Sequence, residues 1–299
     1  MKHYKIYDCF CYFNEDMLLK IRLETLWNNV DIFVISEANY SHKGDNRKTQ
    51  FDISKFSKYA KKIRYLPLFE RPAGKNDFWK NENFIRNNIA NGLFDANPED
   101  RVIISDLDEI PNPTKINLYQ PKFFRADFHQ RYYSYFFNNY WLGNVGKNGS
   151  IEPNSNIWFG SKITTYKHFV NFYKSNATSV RSYKSNGLTR AIKRKWFLQF
   201  KVQKILNGGW HFTWIFPICD IVKKIENTAH QEFNIPELKD PNHIKNMIYN
   251  GRDFHKPDSR YQAQEINNQF PDYLIKKQSL YKDFFLPITN KQFHQWENH

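Results

Sequence analysis

Arg101-Val-Ile-Ile-Ser-Asp-Leu-Asp-Glu-Ile-Pro111 decides the fold class: a short apolar run with the pattern of a buried strand ends abruptly in three carboxylates around one leucine. In an open α/β sheet, ligands bind beyond the carboxyl ends of the strands, so acids delivered there are placed to meet one. Asp106 and Asp108 can both turn oxygens toward a hard divalent cation, which prefers such donors. A lone Asp-x-Asp is more often a solvated acidic turn, so its surroundings must choose between the readings.

Upstream, strands and helices alternate. Lys5-Ile-Tyr-Asp-Cys9 reads as a strand, and Asn14 as a helix N-cap, with Glu15 and Asp16 on the positive end of the dipole. Leu19, Leu23, Leu26 and Trp27 then recur at helical spacing, and Asp31-Ile-Phe-Val-Ile-Ser36 is a second buried strand, completing a βαβ unit. Ile63–Pro67 predicts another strand, Phe78–Ala90 a helix and Arg101–Ser105 the strand carrying the acids. Right-handed crossovers stack these into an α/β sandwich. On this plan Asp8, Glu37 and Asp106 lie at or just past strand ends along one edge of the sheet. For Asp8 and Glu37 two readings stand side by side, a loop-capping carboxylate or an acceptor for a ribose or base. The chain has no GxxxxGKS/T or GxGxxG loop and only 11 glycines, so the phosphates of a bound nucleotide would be held by metal and basic side chains.

At 299 residues the chain can bury a large core, and 40% hydrophobic with 18% aromatic residues excludes a disordered protein. The sequence predicts a single domain: residues 1–115 as the nucleotide half, 116–235 as the acceptor half and 236–299 as a helical C-terminal extension. Lysine and arginine total 44 against 30 acids, a net +14 that suggests an anionic partner. Cys9, Cys11 and Cys219 lack the spacing of a zinc site or a disulfide framework, which favours a reducing compartment. No signal peptide or apolar run of membrane-spanning length is visible, so a cytoplasmic protein, soluble or peripheral to the membrane, is expected.

Later stretches are less specific. Phe123, Phe124 and the aromatics from Tyr132 to Trp141 suit core strands near the acceptor side. From Arg181 to Lys204, basic residues accompany Ile192, Trp196, Phe197, Phe200 and Ile205 at roughly helical spacing. Such a basic amphipathic helix can rest on anionic membrane, hold a phosphorylated acceptor or simply be solvated.

Several motifs occur in one order: Tyr7-Asp8-Cys-Phe10 with Phe13-Asn14-Glu15, Phe33-Val-Ile-Ser-Glu37, Trp79 with Glu82 and Arg86, Ile104–Pro111, Gly208-Gly-Trp-His-Phe212 and His230-Gln-Glu-Phe-Asn234. Together with Asn250-Gly-Arg-Asp253 and Phe270-Pro-Asp-Tyr273 they resemble glycosyltransferase family 17, which includes β-1,4-mannosyl-glycoprotein β-1,4-N-acetylglucosaminyltransferases. The resemblance covers most of residues 4–290. It implies a GT-A type, Rossmann-like α/β/α sandwich with a mostly parallel central sheet, and inverting transfer from a UDP-sugar such as UDP-GlcNAc with Mn2+ or Mg2+.

Laid against that chemistry, Asp108 is the first choice as metal ligand, with Asp106 on the metal or the ribose. His211 or His230 would complete the coordination by analogy, although a lone histidine is more often structural. Asp8, Phe10, Glu37, Arg86, Asp106 and Trp210 form the expected donor-binding set; for Trp210 core packing is the default, and for Arg86 a surface pair with Glu82 is the alternative. Glu232 is the candidate general base toward the acceptor hydroxyl. The basic loop Ser41–Lys48 can close over a donor or be a surface connection. The resemblance implies a glycan acceptor, of lipopolysaccharide, capsule or glycoprotein. Two rivals remain. A nucleic-acid-binding protein would use the charge and aromatics, but the basic residues are spread along the chain without a recognised motif. A metal-dependent phosphotransferase or nuclease would use Asp106 and Asp108 without a UDP pocket.

Overall fold

The computed structural model describes residues 3–71, 78–147, 149–152, 155–182, 190–227 and 234–288. In chain order its principal elements are β1 (Ile6–Cys11), α1 (Asp16–Leu26), β2 (Ile32–Ala38), β3 (Ile63–Leu68), α2 (Phe78–Asn87), β4 (Arg101–Asp106), β5 (Glu109–Pro111), β6 (Arg125–Ser134), β7 (Asn139–Asn144) and β8 (Ile157–Thr165). There follow α3 (Tyr166–Asn171), α4 (Ala177–Arg181), α5 (Arg190–Phe200), β9 (Val202–Thr213), α6 (Ile218–Asn227), α7 (Pro241–Tyr249), β10 (Ser259–Ala263) and α8 (Asp272–Lys276).

The chain divides into two compact units, each discontinuous in sequence: Met1–His129 with Phe159–Gly209, and Gln130–Trp158 with Trp210–His299. These cut across the boundaries at 115/116 and 235/236 predicted above. The first unit is an α/β structure whose strands run in the order β8-β4-β1-β2-β3. β4, β1, β2 and β3 are parallel, and β8 runs antiparallel to β4. Cys9 is in register with Val34 on one side and Ile104 on the other. Flanked on both edges and covered on both faces, β1, β2 and β4 read as continuous apolar runs, whereas β3 ends the order and is only partly buried. Tyr7, Cys9, Val34, Val102 and Ile104 form one core with Ile89, Leu93, Phe169, Val180 and Phe197. The second unit contains β10 antiparallel to β7, with Tyr261 opposite Trp141. Its core joins Tyr135 and Phe254 to Ile221 and Ile225 of α6 and Ile244 and Ile248 of α7.

Three expectations change. α1 begins at Asp16 with Glu15, not Asn14, at the N-cap position; the Glu15 side chain accepts from the Phe13 amide at 2.9 Å and makes no cap bond, and Asn14 takes a left-handed turn at φ 106°. The helix read through Ile205 stops at Phe200, and Val202–Thr213 is strand, with Val202 and Ile205 buried in it. The C-terminal extension is not purely helical: Ser259, Tyr261 and Ala263 point inward from β10. Among the described residues no helix is long and apolar enough to cross a membrane.

Candidate functional site

Strand β4 delivers Asp106 as its last residue, opposite Cys11 of β1, and Asp106–Glu109 turns the chain into β5. The Asp106 amide donates to the Glu109 carboxylate at 3.0 Å, closing the turn. Arg22 then fastens it from below. Leu18, Leu19, Leu23 and Leu26 bury the inner face of α1, and Arg22 sits among them with no solvent exposure. Its guanidinium donates to the carbonyls of Asp106 (3.2 Å), Leu107 (3.0 Å) and Glu109 (2.7 Å). It also forms a two-point pair with Asp8 at 2.6 and 2.7 Å, and it covers the Phe10 ring at 4.5 Å. Both Asp8 oxygens are thereby taken, and Phe10 is core. Asp8 also lies mid-strand rather than at a strand end, because β1 continues to Cys11 in register with β2 and β4.

Above the turn lies an ion-pair chain, Glu82–Arg86–Asp106–Arg181–Glu109. Arg86 meets Glu82 at 2.6 Å and one Asp106 oxygen at 3.0 Å, while Arg181 meets the other oxygen at 2.8 Å. Arg181 also grips both oxygens of Glu109, one of them at 2.9 Å. The helices carrying the two arginines are tied together, the Thr178 amide of α4 donating to Asn87 at 3.0 Å and its hydroxyl to Asn83 at 3.2 Å. Burial opposes the charge on Arg181, but Asp106 and Glu109 overcome it and raise its pKa; Asp108, half-buried, also acts on it. Burial likewise pushes the Cys11 thiol up to about 12 and lowers the pKa of His42.

Glu37 is buried and accepts from Arg47 (3.0 Å), the amides of Gln50 (2.7 Å) and Phe51 (3.0 Å), and the Tyr65 hydroxyl (3.0 Å). It is the anchor of the loop between β2 and the residues that follow. That loop is pinned further by a Tyr40–Asn46 bridge and by Asn81 on the His42 carbonyl at 2.9 Å.

The glycine pair of the Gly208–Phe212 motif serves the acidic turn. The Asn112 amide donates to the Gly208 carbonyl at 2.7 Å. A Cβ on Gly209, at φ 137°, would lie 2.1 Å from the Ile110 carbonyl oxygen. Only glycine allows β9 so close to the exit of the turn. In the second unit, His211 stacks on Trp158 (centroids 4.6 Å apart) and meets Tyr132 edge-on at 4.9 Å. Trp210 is 6% exposed and donates its indole N–H to the Gln269 carbonyl at 2.7 Å. His230 and Glu232 lie outside the described residues.

The structure thus brings Arg86, Asp106 and Asp108 together with two residues sequence reasoning passed over, Arg22 and Arg181. Arg22 carried one signal, a charge at an inward position of an otherwise apolar helix face. Arg181 carried none. Among the described residues no three His, Cys, Asp or Glu side chains are gathered as a metal cage. The donor set nevertheless fits a hard cation of the Mg2+ class, which uses one or two carboxylates and takes its other ligands from substrate phosphates and water. The ion-pair chain carries three carboxylates against two guanidiniums, and Asp108 adds a further negative charge that such a cation would offset.

The chain spans about half the length of the curated relatives it matches. It is similar to β-1,4-mannosyl-glycoprotein 4-β-N-acetylglucosaminyltransferases of Rattus norvegicus and Homo sapiens, each 24% identical over 281 residues. Those alignments take in 87% of this chain and 50% and 51% of the relatives. Among solved structures, one likeness is to a glycosyltransferase involved in glycosylation of the major capsid of PBCV-1 (13% identity, 68% of this chain and 80% of that one, TM-score 0.30). Another is to glucosyl-3-phosphoglycerate synthase from Mycobacterium tuberculosis in complex with Mn2+ and UDP-glucose (12% identity, 76% and 80%, TM-score 0.34). At those scores neither bears on the chemistry. The glycosyltransferase family 17 model matches residues 1–171, more than half of the sequence, and the chain belongs to that family.

Proposed function

We propose that this protein is an inverting, metal-dependent glycosyltransferase that moves N-acetylglucosamine from UDP-GlcNAc to a hydroxyl of a glycan. The observation that carries the reading is the Asp106–Glu109 turn at the carboxyl end of a central parallel strand, held by Arg22 and faced by Arg86 and Arg181. The choice of sugar rests on the names of the curated relatives.

Asp108 and Asp106 would hold the divalent ion, whose chemistry when bound is to neutralise charge growing on the departing diphosphate. An ion at Asp106 would weaken the pairs its oxygens make with Arg86 and Arg181, and donor entry would let either guanidinium turn to a phosphate oxygen, for which the planar fork is suited. Glu232 takes the proton of the acceptor hydroxyl. The oxygen then bonds to C1 on the face opposite UDP while the C1–phosphate oxygen bond breaks, which inverts the anomeric centre.

A thermal-shift titration with a panel of UDP-sugars, with and without Mn2+, tests this. Stabilisation by UDP-GlcNAc only with the metal, lost in Asp108→Ala at unchanged stability without ligand, is expected. No response of the folded, metal-supplied protein to any nucleotide sugar would overturn the reading.

A further inference from the structure

Between Glu152 and Asp220 the chain carries eleven lysines and arginines and no aspartate or glutamate. Helix α5 lies in the middle of this stretch, and its side chains divide unusually. Phe197 anchors it, 2% exposed and stacked on Phe172 at 5.5 Å. Ile192, Trp196 and Phe200 are instead 71%, 52% and 55% exposed. Spaced four apart, they form one stripe, because successive residues on a helix turn about 100°. The same geometry sets Lys193 along one side of the stripe and Lys195 along the other, both exposed. Trp196 and Phe200 lie 6.1 Å apart, and the Lys201 ammonium is 5.4 Å from the Trp196 ring.

A helix on a water-facing surface turns its apolar stripe inward. Here Phe197, with half-buried Leu198 beside it, faces the core and three large apolar side chains face out, bordered by cations. A nucleic acid would reward phosphate contacts and flat rings, but Ile192 has no ring to offer a base. An apolar stripe between lysines is instead the make-up of a helix lying in a bilayer interface, with the stripe at the acyl boundary and the ammoniums on lipid phosphates. We propose that α5 docks this protein on an anionic phospholipid surface through Ile192, Trp196 and Phe200, with Lys193 and Lys195 contacting the headgroups.

The full chain would be sedimented with phosphatidylcholine vesicles made with and without phosphatidylglycerol, at low and high salt. Binding is expected only with phosphatidylglycerol, and less at high salt. At about 1 kcal/mol per basic residue near an anionic surface, Lys193→Ser with Lys195→Ser lowers partitioning about 30-fold. Trp196→Ser with Phe200→Ser removes binding while the melting temperature and circular dichroism stay those of the parent. Undiminished vesicle binding in the Trp196/Phe200 variant would overturn the proposal. So would retention on single-stranded RNA with no binding to phosphatidylglycerol vesicles, which would assign the face to nucleic acid.

Discussion

Replacing Arg22 with methionine keeps most of the side-chain volume and removes the fully buried guanidinium beneath the acidic turn. Two costs follow. Asp8, with no solvent exposure, is left as a buried charge without a partner, and breaking a buried pair from one side costs about 3–5 kcal/mol. The carbonyls of Asp106, Leu107 and Glu109 also lose a common donor, and an orphaned buried acceptor costs about 1–3 kcal/mol. Taking only the first term, and about 2–4 °C per kcal/mol for a protein of this size class, the melting temperature should fall by about 10 °C. Pairing Arg22→Met with Asp8→Leu removes the stranded charge but not the orphaned carbonyls. The double variant should therefore regain most of the lost stability, whereas Mn2+-dependent stabilisation by UDP-GlcNAc should stay lost because the turn is untethered. Urea unfolding of the parent, both single variants and the double gives the coupling energy from a mutant cycle. A loss under about 1 kcal/mol in Arg22→Met, a typical cost for an ordinary point substitution, would refute the buried pair as the tie. A double variant as unstable as Arg22→Met would place the cost in the carbonyls instead.

Arg181→Gln removes a guanidinium paired with Asp106 that, on the proposed function, would compete with a cation there. Calorimetry should show Mn2+ alone binding more tightly than to the parent, and equal or weaker binding would exclude the competition. Burial lowers the pKa of Lys162 from 10.5 to about 8, with Asp127 only partly offsetting it. Between those values the unfolded chain binds a proton that the folded one does not, so stability should rise with pH across that window. The rise is about 3 kcal/mol at 1.36 per unit, and Lys162→Met should lack it in pH-dependent urea melts. Burial would raise the Asp253 carboxyl, but His255, through its imidazole and its amide, holds it below its ordinary 3.8. Its contribution is full above 3.8 and is lost as pH falls through the folded value. The destabilisation by Asp253→Asn should accordingly be greatest near neutrality and shrink in acid, and a pH-independent difference in melting temperature would contradict it.

What could be read from the sequence divides along a physical line. β1, β2 and β4 were legible because a strand flanked on both edges and buried on both faces must be apolar throughout, whatever its partner. Asp106–Glu109 was legible as a turn because acids cannot continue such a run. A pairing partner is a different kind of information. Asp8 and Glu37 read equally as loop-capping carboxylates or as ligand acceptors; Glu37 does hold the following loop, while Asp8 pairs with Arg22, and which donor reaches which acid depends on helix and loop placement that no local pattern encodes. β10 escaped notice because five residues, Ser259 to Ala263, with arginine and glutamine on the outer face, carry too little alternation to stand out.

The same line explains why Arg181 was invisible and why it matters. In sequence it is one cation within the acid-free stretch; in the fold it is the residue on which Asp106 and Glu109 converge, with Asp108 acting on it. Each Asp106 oxygen already meets a guanidinium, so an ion bound there would share the carboxylate with two cations that repel it. On the proposed function, an arriving diphosphate would draw the arginines from Asp106 and so lower that repulsion, and metal and donor should favour each other's binding. Mn2+ without nucleotide should bind weakly and UDP without Mn2+ weakly, with each tightening the other by one common factor, as linkage requires. Calorimetric titration of each in the presence of the other measures both factors. Strong binding of Mn2+ alone, at an affinity unmoved by UDP, would mean that the arginines do not guard Asp106.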